Sequence, residues 1–421
     1  MYIKAVDIKN FKGITGLKMD FQSGFNLIKG ENGKGKTSVL EAIAVGLGGY
    51  IEGIDGVPKR NISKDEIRYT YALSGEGSCN QIPNMPVEIQ LQTVIDGTEY
   101  CWSRKKNSIN APKSTVQPRD IVMLAEKMSA SNDTELPILR YQGAERILSQ
   151  KHDKLENIFS KKYIRTVGYI DALKGTPDIK LIRNWCLKME LVAFQKKNKV
   201  AEYEAVKKAI SDFMQYMNPG RRFEVFYDSQ LEEIMYKDEE TILPVYNLSA
   251  GYQSLIWIAF DIAYRMCVLN PGKKECITET KGIVLIDEID MHLHPKWQWR
   301  IIDALTTVFP NVQFIASTHA PILFASAKEI WIIDIDADTV LYSKSHYGID
   351  INTALKEYQE TGEMAEAVKI QVDKFLDALD DENYEMAQNI LDRLEQETAP
   401  EHPILLNLRT RLEIETMPLE E

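Results

Sequence analysis

The stretch Gly30–Thr37, GENGKGKT, limits the fold more than any other part of the 421 residues. It has the form G-x-x-x-x-G-K-[ST]. It follows a short apolar run, Phe25–Ile28, and leads into Val39, Leu40, Ile43, Ala44 and Leu47 at helical spacing. Strand, glycine-rich turn and helix in that order let backbone N–H groups wrap a phosphate, and the helix N-terminus adds a favourable field for anions. Gly30, Glu31, Asn32, Gly33, Lys34, Gly35, Lys36, Thr37 and Ser38 are therefore candidate nucleotide-binding residues. Lys36 is expected on the β- and γ-phosphates of ATP, and Thr37 on Mg²⁺.

Two later segments fit the same chemistry. GIVLIDEID, Gly282–Asp290, reads as a buried strand that delivers Asp287 to its C-terminal end, the end at which α/β sheets hold ligands. Asp287 is expected to act on Mg²⁺ through water or from the surrounding shell. Glu288 is placed to accept a proton from the attacking water. NLSAGYQS, Asn247–Ser254, leads into a helix, Leu255–Met266, that is apolar nearly all round. A Ser and a Gly before a helix start make a further anion site.

Four regions follow from the patterning. Residues 1–144 read as strands with one embedded helix. Asp96-Gly97 marks a hairpin, and Ser63 with Glu66 marks a helix start. Residues 145–222 read as a helical insertion with 17 Lys/Arg against 9 Asp/Glu, a net of +8 in a chain whose total is -12. Two clusters stand out there, Lys161-Lys162-Arg165 and Lys196-Lys197-Lys199. They allow a salt-sensitive contact with DNA, docking on acidic protein surface, or simple solvation. Residues 223–352 return to α/β, with continuous apolar strands Ile283–Ile286 and Val312–Ala316. Residues 353–421 read as an acidic helical region. Its apolar seam is Leu376, Leu379, Tyr384, Ala387, Ile390, Leu391 and Leu394. No run of 18 apolar residues and no secretory leader is visible, so a cytoplasmic protein without membrane contact is expected. Five cysteines without a C-x-x-C pair indicate neither a zinc site nor a disulfide framework.

The order P-loop, insertion, LSxG helix, Asp-Glu strand and ASTH resembles an ABC-type ATPase head, an α/β fold with a mixed or parallel sheet. Ala250 and Tyr252 depart from the commonest LSGGQ signature. IKNFKGI followed by FNLIKGENGKGKT is similar to RecF and SMC heads, and DEIDMHLHPKWQ resembles a bacterial branch with OLD-type and Septu PtuA-type defence ATPases. The resemblance covers roughly residues 1–145 and 223–350. It implies that Lys12 touches nucleotide phosphate and that Gln142 senses Mg²⁺ and water. It also implies that Ser249 and Gly251 reach the γ-phosphate held by another chain, that Asp290 lies in the D-loop, and that His319 is the switch histidine. It further implies a homo-oligomer of head-to-head dimers, an HNH-type nuclease partner and a place in a defence system, including the retron type.

Other readings compete. Asp334, Asp336 and Asp338 resemble a nuclease D-x-D, but too little chain follows His319 for such a domain. His292 and His294 have no third ligand nearby in sequence. A RecF-like repair ATPase and a nucleotide-gated scaffold with little hydrolysis stay open. The NFKG start and acidic tail argue against a transporter energy module.

Overall fold

Two sheets close on one helix in the first part of the computed structural model. The structure describes residues 1–73, 79–145, 164–176, 178–335, 339–345, 347–349, 353, 366–397 and 403–416. They divide into two units, Met1–Gly348 and Ile349–Glu421. Of the expected regions, 1–144, 145–222 and all but the last residues of 223–352 fall in the first unit, and 353–421 falls in the second.

The chain opens with a hairpin, Tyr2–Phe11 (β1) and Ile14–Asp20 (β2), then Phe25–Lys29 (β3) and the helix Lys36–Ile51 (α1). A separate hairpin, Tyr69–Leu73 (β4) and Cys79–Pro83 (β5), precedes Val87–Ile95 (β6), Thr98–Lys106 (β7) and Thr115–Gln117 (β8). These build an antiparallel sheet in the order β2-β1-β6-β7-β8. Alternation in β6 puts Val87, Ile89 and Leu91 on its inner face. Asp120–Ala130 (α2) leads to Ile138–Gln142 (β9). After residue 164 come Ile179–Lys196 (α3) and Ala201–Met217 (α4). A three-stranded sheet follows: Glu224–Asp228 (β10), Glu233–Lys237 (β11) and Ile242–Pro244 (β12). Ala250–Leu269 (α5), Gly282–Ile286 (β13), Pro295–Gln298 (α6), Ile301–Val308 (α7), Val312–Ser317 (β14), Ile322–Ala325 (α8), Ile330–Asp334 (β15) and Leu341–Lys344 (β16) complete the unit.

The second sheet runs β16-β15-β3-β14-β13-β9, with every pair parallel except β15–β16. Helix α1 lies between the sheets, touching β1, β6 and β7 on one side and β9, β13 and β14 on the other. It is buried nearly all round, which explains its glycines. A Cβ on Gly49 would lie 2.4 Å from Nε1 of Trp102, and that same Nε1 donates to the Gly46 carbonyl at 2.9 Å. The insertion helices belong to this unit, α4 packing on α5 and α7 and α3 on β10.

One local expectation differs. Ser63 N–H does donate to the Glu66 carboxylate at 2.8 Å, as in a capping box, but the segment forms a turn with no helix after it. Arg60 holds Glu66 from the other side, and the chain enters an extended segment at Tyr69. Asp334 ends β15 and pairs with Lys29 at 2.8 Å, while Asp336 and Asp338 lie outside the described residues.

The second unit contains the helices Glu366–Asp380, Tyr384–Glu397 and Pro403–Thr416. Its core is Phe375, Ala378, Ala387, Leu391, Leu394, Leu405, Leu408 and Leu412. Leu376, Leu379, Tyr384 and Ile390 flank that core, so the buried face of the first helix is shifted by one residue from the expected seam. No helix among the described residues is long and apolar enough to cross a membrane.

Candidate nucleotide site

Parallel pairing brings the predicted chemistry to one sheet edge. The P-loop follows β3, His319 follows β14, Asp287 follows β13 and Gln142 ends β9, and these four strands are neighbours in that order. Ile286 is in register with both Gln142 and Ala316, and the Asp287 N–H donates to the Gln142 carbonyl at 2.8 Å. All four strands point the same way, so their C-terminal ends form a single ligand-facing rim.

The P-loop turns through Gly33 (φ 85°) and Gly35 (φ 97°), the latter being the N-cap of α1. Only open space or a distant contact would meet a Cβ at either, so the backbone angle, not crowding, selects glycine here. Lys36 is 6% exposed and its ammonium donates to the Gly30 carbonyl and, at 3.0 Å, to that of Glu31. The Thr37 hydroxyl donates to Asp287 Oδ2 at 2.9 Å. Thr37 and Asp287 offer hard oxygen atoms of the kind that could hold Mg²⁺, which takes few protein ligands and keeps several waters. Among the described residues no group of three or more His, Cys, Asp or Glu forms a metal cluster, His292 and His294 included. His294 instead caps α6, its Nδ1 accepting from the Lys296 N–H at 3.2 Å.

Ser317 and Thr318 are the parts that sequence reasoning did not assign. Ser317 Oγ donates to Asp287 Oδ1 at 2.6 Å and accepts from the Glu288 N–H at 2.8 Å. It thereby fixes both acidic residues from the neighbouring strand. Glu288 itself holds φ 46°, a left-handed conformation that is strained for a residue with a long side chain. The Asp290 carboxylate binds the Thr318 hydroxyl and, at 3.3 Å, the His319 N–H. The turn that carries Asp290 and the segment after β14 are therefore joined within one chain. Both Ser317 and Thr318 were visible in ASTH, but motif reading stopped at its histidine.

Gln142 is 3% exposed and its Oε1 has no hydrogen-bond partner among the described residues. Its Nε2 lies 3.4 Å from Asp261 Oδ2 and 3.4 Å from the Ile258 carbonyl. Asp261 on α5 is in turn held by Arg140 of β9 and by Arg265 Nε at 2.8 Å, all three being at most 1% exposed. Burial pushes the Asp261 carboxyl up, and the two guanidinium groups outweigh it, holding the group below its ordinary value. Burial draws Arg140 down to about 10. Five further guanidinium bonds go to the carbonyls of Gly168, Ile170, Asp171, Ala172 and Thr176. The signal was a charged residue inside an apolar strand, LPILRYQG, and an i,i+4 acid–base pair inside an apolar helix.

Three expected residues sit differently from the rim. Lys12, at the β1–β2 turn with φ 47°, has its ammonium paired with Glu41, one helical turn beyond Thr37. Ser249 is exposed at the N-cap of α5, and its side chain makes no capping bond to that helix. Gly251 is buried: a Cβ there would lie 2.7 Å from the His292 carbonyl. In the insertion, Lys196, Lys197 and Lys199 are exposed where α3 ends, and Lys161 and Lys162 lie outside the described residues.

A family model described as an AAA domain matches residues 5–218, half of the chain. The chain belongs to the AAA domain family. A second AAA-domain model matches residues 201–325. This AAA-domain chain is 25% identical to Septu protein PtuA of Bacillus thuringiensis over 423 residues, 96% of each protein. It is 25% identical over 385 residues to the Retron Vc95 probable ATPase of Vibrio cholerae serotype O1 biovar El Tor, 79% of this chain and 73% of that one. A short match, 45% over 49 residues, joins it to the DNA replication and repair protein RecF of Heliobacterium modesticaldum, 12% of this chain and 13% of that one. Among solved structures, an SMC head bound to the C-winged helix domain of ScpA gives a TM-score of 0.52 at 20% identity, covering 82% of this chain and 98% of that one. That likeness is one of fold. The AAA domain described here thus has the fold of an SMC head and is similar in sequence to PtuA and a retron ATPase.

Proposed function

We propose that the chain binds and hydrolyses Mg²⁺-ATP at a head-to-head interface between two copies, as the sensor and regulator subunit of an antiphage defence system with a partner nuclease. The observation that carries the catalytic part is the convergence of Lys36, Thr37, Asp287, Glu288, Gln142 and the switch segment on one sheet edge. Lys36 holds the β- and γ-phosphates, and Thr37 and Asp287 serve the metal. Bound Mg²⁺ would neutralise phosphate charge during transfer. Glu288 takes the proton of the attacking water, and His319, oriented through Asp290, faces the γ-phosphate. Any DNA cleavage belongs to an HNH-type partner, and the exposed Lys196–Lys199 end of α3 is available for DNA. The near full-length likeness to PtuA supports the defence reading over a RecF-like repair ATPase, whose matches span 10–22% of the chain.

Lys36→Ala removes the buried cation of the P-loop. It is expected to weaken ATP binding by about tenfold or more, the scale of a charge-assisted hydrogen bond. Unchanged affinity in calorimetry would sink the nucleotide assignment. For the shared interface, Ser249 is the informative position, because Gly251 is closed in by its own chain. Ser249→Arg, at an exposed position, should spare nucleotide binding and folding while abolishing ATP-dependent pairing in light scattering. Retained pairing with full turnover would remove the signature from the site.

A further inference from the structure

Three separate parts of the chain meet at Trp297. Its ring lies edge-on to Tyr252, with centroids 4.9 Å apart and an interplanar angle of 82°. Tyr252 occupies one of the two places where the signature departs from LSGGQ, and it also contacts Tyr236 of β11, with centroids 5.9 Å apart. The indole Nε1 donates to Asn218 Oδ1 at 3.0 Å, at the end of α4, and Arg300 reaches the neighbouring Met217 carbonyl. Trp297 belongs to α6, in the loop that follows Asp287, Glu288 and Asp290. A Cβ on Gly251 would lie 2.9 Å from Trp297 Cζ3. The indole thus forms one wall of the signature turn, and the His292 carbonyl forms another. The start of α5 is pinned by this ring, while the Ser249 hydroxyl is left without a capping task.

We propose that Trp297 is a positioning residue for the signature serine, setting Ser249 for the nucleotide held by the opposite chain; this rests on the head-to-head reading above. The contacts are specific to an aromatic edge. Tyr252 takes the ring's edge, Gly251 allows close approach, and Asn218 fixes the ring's rotation from the return end of the insertion. A chain's own Asp287–Glu288 loop and the signature it offers to its partner are then linked through one side chain. Removing the ring loosens Ser249 without touching the P-loop of the same chain. The defect therefore lies in the partner's site.

The test follows from that crossed geometry. Trp297→Ala is expected to lower turnover on the order of 10- to 100-fold, the scale of a small misplacement of a positioning group. Its ATP affinity, read at the P-loop by a fluorescent nucleotide, should stay within about twofold of the original. Glu288→Gln chains bind ATP and carry an intact signature. Mixed in equal amounts with Trp297→Ala chains, they should restore roughly a quarter of the unmutated rate, since half of the random pairs are mixed and each has one complete site. No recovery, with mixed pairs shown by mass spectrometry, would overturn the proposal, because Trp297 would then act in its own site or in folding alone. Should the alanine chain melt below assay temperature, Trp297→Leu, which fills the space without an aromatic edge, replaces it in the same mixture. A Ser249→Ala and Glu288→Gln mixture separates the two levels, because alanine removes the hydroxyl without blocking pairing. Recovery there without recovery for Trp297 defeats only this proposal, and failure of both defeats the head-to-head reading itself.

Discussion

Glu288→Gln is expected to leave ATP binding intact and to slow turnover by a factor on the order of 10² to 10⁴, the usual worth of a placed acid–base group. The substitution keeps size and hydrogen-bonding shape but cannot take up a proton. The backbone around Glu288 is fixed in several ways. Its N–H is held by Ser317 Oγ, the preceding Asp287 is anchored to Gln142 and Thr37, and φ is set at 46°. A strained, non-glycine conformation at the end of a buried strand persists only where neighbours over-determine it. Single-turnover measurements at saturating ATP would check the effect. Near-normal turnover with tight binding would take Glu288 out of the proton-accepting role.

Asp261→Asn is expected to destabilise the first unit by about 3–5 kcal/mol, the range found when one partner of a buried ion pair is removed. Two guanidinium groups, Arg140 and Arg265, would be left buried without a counter-charge. The anchor of segment 168–176 would loosen with them. The unfolding midpoint in urea measures this, and a shift equivalent to less than about 0.5 kcal/mol, typical of a surface change, would show that the network is dispensable. The sign with pH follows from the direction of the shift. Asp261 is held below its ordinary value in the folded chain, so its stabilisation is complete above the unfolded carboxylate value of about 3.9. It is lost only as pH falls through the lower, folded value. Between pH 5 and 8 this group should leave stability flat.

The parts legible in sequence were those in which local pattern and chemistry coincide. GENGKGKT carries its own turn, cap and helix, and GIVLIDEID carries a strand with its acidic end, so each segment could be read without its neighbours. Pairing between strands was not legible. Nothing local says that Ser317 stands opposite Asp287, because that depends on the register of β14 on β13. The same holds for Arg140 and Asp261, 121 residues apart. The half-formed capping box at Ser63 failed for the complementary reason: Arg60 and the following strand decided what Glu66 does. The apolar pattern of α5 is legible in sequence apart from its buried Asp261 and Arg265, but its grip on Trp297 is hidden in a loop motif that looks complete as a family mark.

Anyone wishing to harden this protein by routine helix improvement would choose α1 first, and would be misled. Three glycines near its end, Gly46, Gly48 and Gly49, each look replaceable by alanine for a gain of roughly 1 kcal/mol in intrinsic helix preference. Each, however, faces an occupied position: Leu91, the Arg60 carbonyl and the Trp102 indole lie 2.8, 2.9 and 2.4 Å from where a methyl group would stand. The helix is thin there because β6, β7 and the Arg60 segment lean on it. An engineer, or a lineage under selection for heat tolerance, can thicken it at Gly46 or Gly49 only by trimming the opposing side chain in the same move, so these two sites should change as matched pairs, while Gly48, opposed by a backbone carbonyl, should stay as it is.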